Sequence, residues 1–200
     1  MRKKTGMAVR GNRRRGTRGA AATPLLHERF WIGGNYWASH AGTAMWHDWR
    51  PDVVARDLRR LAAAGLRALR VFPLWPDFQP LRRLYGYAGS SMELRHGEAP
   101  LPGDEIGRAG LDAAALDKFA FLADQARRQG LGLIVGLVTG WMSGRLFVPP
   151  AFEQRNVLTD PEVLMWTVRW VRCFVRRFRQ HPAILAWDLG NECNCMASVP

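Results

Sequence analysis

The segment Trp187-Asp188-Leu189-Gly190-Asn191-Glu192 places a carboxylate directly after an apolar run, Ala183 to Gly190, that has the composition of a buried strand. A strand fixes the backbone beneath Glu192 while its side chain faces the space beyond the strand end. Partial burial there would raise its pKa and keep the carboxyl group protonated near neutral pH, the state a general acid needs. Cleavage of a glycosidic bond is one chemistry that uses such a group. One protonated carboxyl group protonates the leaving oxygen, and a second carboxylate attacks or activates water. Asn191 beside it can donate an amide hydrogen bond to a sugar hydroxyl. An Asn-Glu pair alone also serves as an ordinary turn cap, so the reading rests on its company.

Arg70 lies inside the apolar stretch Leu69-Arg70-Val71-Phe72, where a lone guanidinium is expensive to bury and a carboxylate inside the fold is its natural partner. Arg67 is read as reaching solvent. Nine tryptophans are present, and Trp31, Trp37, Trp46, Trp49, Trp75 and Trp141 fall in strand or loop segments. Sugar rings present flat C–H faces that stack on indole, and Trp37, Trp75 and Trp141 are the expected platforms, with core packing the alternative for each. Trp166 and Trp170 sit at helical spacing and are read as core. Asn35 ends the first strand, and His40 and His47 occupy the loop after it. Asn35 and His40 join the candidate substrate-binding set.

These residues need elements to hold them. Arg29 to Trp37 reads as strand one, closed by Gly-Gly-Asn. Pro51 to Ala64 reads as a helix, with Val53, Val54, Leu58 and Leu61 on one face and Gly65 beyond its end. Ala68 to Trp75 is strand two, and residues 76–110 are an irregular connection. Leu111 to Gln129 is helical and stops at Gly130, and Leu131 to Thr139 is strand three. Thr159-Asp160-Pro161 caps a helix through Arg179, and Ala183 to Gly190 is strand four. Strands alternating with helices demand parallel pairing. The polar and aromatic residues gather at strand carboxyl ends, which favours a (β/α)8 barrel over an open sheet, since there those ends converge on one mouth.

The chain has 200 residues, 48% of them apolar, enough for one sizeable core. The net charge of +12 belongs to an arm. Eight of the 29 Lys and Arg fall in residues 1–20, which hold none of the 17 acids, so the remaining 21 basic residues against 17 leave +4. Residues 1–24 are expected to be a disordered basic arm, and residues 25–200 the folded domain. No apolar segment follows the early charges to make a signal peptide, and no run has the length of a membrane span, so localisation is unassigned. A nucleic-acid partner acting through the arm is disfavoured. Cys173, Cys193 and Cys195 lack metal-ligand spacing or a disulfide framework, and neither metal nor cofactor is expected.

The combination of Phe30-Trp31-Ile32-Gly33-Gly34-Asn35-Tyr36-Trp37, Asp57-Leu58 through Gly65 to Leu69-Arg70-Val71-Phe72, and Trp187 to Glu192 resembles the clan A glycoside hydrolases. The resemblance is strongest to the cellulase-like family 5, which includes endo-β-1,4-mannanases and endoglucanases, and covers residues 29 to 194. It implies an α/β (β/α)8 barrel in which Glu192 is the acid/base, Asn191 binds the sugar 2-hydroxyl and Arg70 hydrogen-bonds the nucleophile. The implied reaction is retaining hydrolysis of a β-linked mannan or glucan. Cys193 stands where the family usually has proline, and Trp141 where many relatives place a histidine. The family's nucleophile is a second Glu at the end of strand seven. The sequence stops at Pro200, so the expectation is the first four β/α units of a truncated barrel, weakly active or inactive alone and prone to self-association through unpaired edges. Glu93, Glu98, Asp104 and Glu105 have no strand-end position and are poor substitutes for the nucleophile. A non-catalytic carbohydrate-binding protein from the same barrel is the alternative.

Overall fold

The computed structural model describes residues 30–87 and 91–196. The basic arm expected over residues 1–24 lies outside them.

The elements run β1 (Gly33–Asn35), α1 (Pro51–Ala63), β2 (Ala68–Val71), α2 (Trp75–Phe78), β3 (Leu81–Tyr85), β4 (Ser91–His96), β5 (Ala99–Pro100), α3 (Glu105–Arg108) and α4 (Ala113–Arg128). They continue with β6 (Gly132–Val138), β7 (Trp141–Met142), β8 (Arg145–Leu146), a 3-10 turn at Pro150–Phe152, α5 (Pro161–Phe178), β9 (Ile184–Gly190) and α6 (Cys193–Met196). Strands β1, β2, β6 and β9 form a parallel four-stranded sheet in that order. The fold is therefore α/β, with the helix-strand alternation that the sequence predicts.

Local chemistry explains the helices. Helix α1 opens on Pro51 with Asp52 in its first turn and ends before Gly65, whose φ of +94° suits a residue without Cβ. Asp112 caps α4 by accepting from Ala114 N at 2.7 Å and Ala115 N at 3.3 Å. Asp160 does the same for α5, accepting from Glu162 N at 2.9 Å and Val163 N at 3.2 Å, with Pro161 in the first turn.

Alternation along the strands splits the sheet into two faces. Leu69, Val71, Leu133, Val135 and Leu137 are buried in the core shared with Leu58, Leu122, Phe119, Trp170 and Phe174. Arg70, Ile134 and Asp188 alternate with them and are only partly buried. In register, Asn35 lies opposite Arg70, Arg70 opposite Ile134 and Ile134 opposite Ala186, while Gly136 lies opposite Asp188.

Two sequence expectations need correction. Residues 76–110 are organised: α2 leads into an antiparallel sheet of β3, β4 and β5, followed by α3. Buried Gln79 ties this insertion to the body, its Nε2 donating to Ala109 O at 2.7 Å and Trp166 O at 3.1 Å. Strand β2 ends at Val71, short of Trp75, because Pro76 sits in the first turn of a new helix that Trp75 opens.

Candidate active site

The loop after β1 is pinned from α1. Buried Asp57 accepts from Ser39 N at 2.8 Å, Ser39 Oγ at 2.9 Å and Tyr36 OH at 3.4 Å. Burial, reinforced by the Asp57 charge and its hydrogen bond, pushes the Tyr36 hydroxyl well above its usual range, so it remains a donor. Trp37 leaves this anchored loop half-buried and stacks on Phe72, with ring centroids 5.1 Å apart and planes at 15°. The Arg70 guanidinium lies over the Phe72 ring, 4.7 Å from its centroid. Trp37, Phe72 and Arg70 thus form one stack.

Arg70 has the carboxylate partner its position requires. Its Nε donates to Asp188 Oδ2 at 2.7 Å and its Nη2 to the same oxygen. Its Nη1 donates to Asn191 Oδ1 at 2.9 Å, and Nη2 also points to Gly190 O at 3.4 Å. Asn191 is buried, and its Nδ2 donates to the Trp141 carbonyl at 2.8 Å. A chain of contacts therefore runs from β2 through β9 to the segment at β7. Glu192 comes next, in the left-handed region with φ +47°. Its carbonyl accepts from Cys195 N at 2.9 Å to start α6.

The structure sorts the sequence-predicted residues. Arg70 and Asn191 meet at the carboxyl end of the sheet, with Trp37 linked through the stack and Trp141 through its carbonyl, and Glu192 follows Asn191 in the chain just beyond β9. Asn35 is exposed at the end of β1, beside Arg70 in a cavity of about 390 Å³ lined also by Trp31, Ile134, Leu185 and Ala186. Partial burial of Glu192 is not found. Its side chain is exposed and, among the described residues, makes no hydrogen bond or ion pair, because β9 is an outer strand of the sheet. Trp75 is no platform: it is 0% exposed, its Nε1 donates to Gln79 Oε1 at 2.8 Å, and opening α2 turns its ring into the core. His40 is no free ligand either. Its Nε2 lies 2.7 Å from Asp48 O and 3.8 Å from Asp48 Oδ2, and its Nδ1 is buried without a partner, so it braces the loop. His47 is exposed, 3.3 Å from Asp77 Oδ1. Burial raises the Asp77 pKa, with His47 and Lys118 opposing the shift.

Sequence reasoning missed Asp188, Phe72 and Gln79. A signal for Asp188 was present: an acid between Trp187 and Leu189 in an apolar strand carries the same burial cost as Arg70, and the two costs cancel when paired. Among the described residues no group of three or more His, Cys, Asp or Glu stands ready to hold a metal.

A parallel β/α sheet that gathers an arginine, an asparagine and a strand-end glutamate at its carboxyl edge has the layout of β/α enzymes whose sites open on that face. No family model matches the chain. Mannan endo-1,4-β-mannosidase F of Aspergillus fumigatus is 26% identical over 87 residues, covering 42% of this chain and 20% of the relative. Exo-β-1,4-mannosidase Op5Man5 from Opitutaceae bacterium strain TAV5 superposes with a TM-score of 0.65 at 29% identity, over 84% of this chain and 26% of that one. GH5_18 from Streptomyces cattleya, in a variant form in complex with Manβ1-4GlcNAc, gives a TM-score of 0.65 at 29% identity, over 82% of this chain and 34% of that one. These likenesses support a relation to the cellulase-like glycoside hydrolase family 5. The chain spans a fifth of the length of the curated mannosidase and about a quarter to a third of the solved structures.

Proposed function

We propose that residues 25–200 supply the acid/base side of a glycoside hydrolase site that cleaves a β-1,4-linked, mannose-containing glycan with retention, on the first four β/α units of a (β/α)8 barrel. Glu192 is the general acid/base. Arg70 and Asn191 set its position, and Trp37 is the sugar platform. The observation that carries this reading is the network Arg70–Asp188–Asn191, which delivers Glu192 unpaired at the carboxyl end of the sheet. The substrate class rests on the relatives, whose names are those of mannosidases or which hold Manβ1-4GlcNAc. The second carboxylate of a double displacement is assigned to no described residue, since Asp188 is engaged by Arg70.

The test is hydrolysis of β-1,4-mannobiose and Manβ1-4GlcNAc by the protein expressed from its own gene, with glycan binding followed by calorimetry. Glu192→Gln is expected to lower turnover by about 10²–10⁴-fold while retaining binding, and Trp37→Ala to weaken binding. Binding of these glycans without any turnover by the unmodified protein would assign it instead to carbohydrate binding.

A further inference from the structure

Strands β2 and β9 are not neighbours. Strand β6 lies between them, so Arg70 and Asp188 meet across two strand spacings, roughly 9.6 Å. The register places Asp188 two residues nearer the strand ends than Ala186, which shares a row with Arg70 and Ile134. Arginine therefore has to reach over the middle strand, and the residue opposite Asp188 there is Gly136. A Cβ on Gly136 would stand 2.9 Å from Phe72 Cδ1, so the ring beneath the guanidinium uses that space.

Both oxygens of Asp188 are engaged. Oδ2 takes Nε and Nη2 of Arg70, and Oδ1 accepts from Gly190 N at 3.3 Å. One carboxylate thus grips the guanidinium that holds Asn191 and the backbone that leads into it. Asn191 is in turn fixed from both ends, its Oδ1 by Arg70 and its Nδ2 by the Trp141 carbonyl. Glu192 follows in a left-handed conformation, which a non-glycine residue keeps only when its surroundings over-determine it.

We propose that Asp188 is a positioning residue for Glu192: by clamping Arg70 across Gly136 and the Gly190 amide beside it, it fixes Asn191 and so the direction of the Glu192 side chain, without touching sugar. Without Asp188, Arg70 keeps only one amide oxygen and one distant carbonyl, and a five-donor guanidinium so placed turns to water. This role rests on the reading of Glu192 above for its catalytic consequence alone.

Two readouts separate the two ideas. In nitrogen NMR of the 200-residue chain, the Arg70 Nε–H and the Asn191 side-chain amide are expected as distinct, exchange-protected signals. Asp188→Ala abolishes that protection while the β6 amides report an intact sheet. In turnover of Manβ1-4GlcNAc, Asp188→Ala is expected to lower kcat by about 10²-fold with KM little changed, as for a misplaced acid. The isosteric Asp188→Asn, which keeps an acceptor without the charge, is expected to recover part of both and stands in if the alanine variant fails to fold. Unchanged Arg70 and Asn191 signals overturn the clamp. Lost signals with unchanged kcat overturn its role in positioning. Turnover that survives Glu192→Gln contradicts the function proposed above, while the NMR signals of Arg70 and Asn191 still decide the clamp.

Discussion

At Glu192 the backbone takes φ +47°, a region that costs an L residue about 1–2 kcal/mol. The gain is direction: the chain turns sharply off β9, and the side chain stands clear of the sheet. Glu192→Gly is therefore expected to raise stability by up to about 1 kcal/mol in urea unfolding, after glycine's own entropy cost, while abolishing turnover; a loss of stability would contradict this. Arg70 is the reverse case, a charged group whose hydrogen bonds stabilise the fold. Arg70→Ala is expected to cost about 1.5–3 kcal/mol in the same measurement, and a cost near zero would mean the network holds nothing. The need of Arg70 for a partner was legible in four residues of sequence. The partner itself was not, because it comes from a strand 118 residues away. Trp75 was misread because an aromatic residue at the end of an apolar run looks like a strand-end residue, and nothing in the run says that the helix opened there aims the ring inward.

Among the elements, the helices α1, α4 and α5 and the four parallel strands were legible because each carries its own period and caps: Asp112 and Asp160 mark the starts, Gly65 and Gly130 the stops. The antiparallel insertion was not legible. Leu81 and Leu84 are separated by Arg82 and Arg83, which breaks the two-residue period of a strand, and Leu94 lies between Glu93 and Arg95 on a strand that pairs only within the insertion, between glycines and prolines that read as loop. Buried Gln79 joins the insertion to α5 alongside the Arg83–Glu162 ion pair and the burial of Leu81 in the core. Gln79→Leu would strand two carbonyls and the Trp75 indole N–H, and is expected to cost about 2–4 kcal/mol in urea unfolding; a neutral result would show the insertion is anchored elsewhere. Helix α2 also holds Asp77, whose pKa burial raises above the ordinary 3.8. A raised carboxyl pKa means that the folded state binds the proton more tightly than the unfolded state, so stability falls as pH rises from 3.8 through the folded value. Asp77→Asn is expected to be more stable than the unmodified protein at neutral pH, with the gain vanishing below pH 3.8. A gain independent of pH would contradict the assignment.

On the scale of the whole molecule, the sheet separates two jobs. Leu69, Val71, Leu133, Val135 and Leu137 are buried in the core, while Arg70 and Asp188 meet on rows that are only partly covered. Strands β1 and β9 each pair on one side among the described residues, and Ile32 and Leu189 are exposed beside them. Leu164 and Val168 add exposed apolar surface on α5. Such surface favours association, and sedimentation of the 200-residue chain is expected to show concentration-dependent self-association that a uniform monomer would contradict. Of the net charge of +12, residues 1–20 carry eight basic residues and no acid, so the residues after them carry +4.

The central claim is that Glu192 gives and takes the proton. The most direct test is the leaving-group dependence of the Glu192→Ala variant on β-mannosides, with and without azide. An acid/base role predicts a loss of about 10²–10⁴-fold on mannobiose, a much smaller loss on a dinitrophenyl β-mannoside that needs no protonation, and azide rescue that yields the β-mannosyl azide. An equal loss on both substrates with no azide product would contradict the assignment of Glu192 as acid/base.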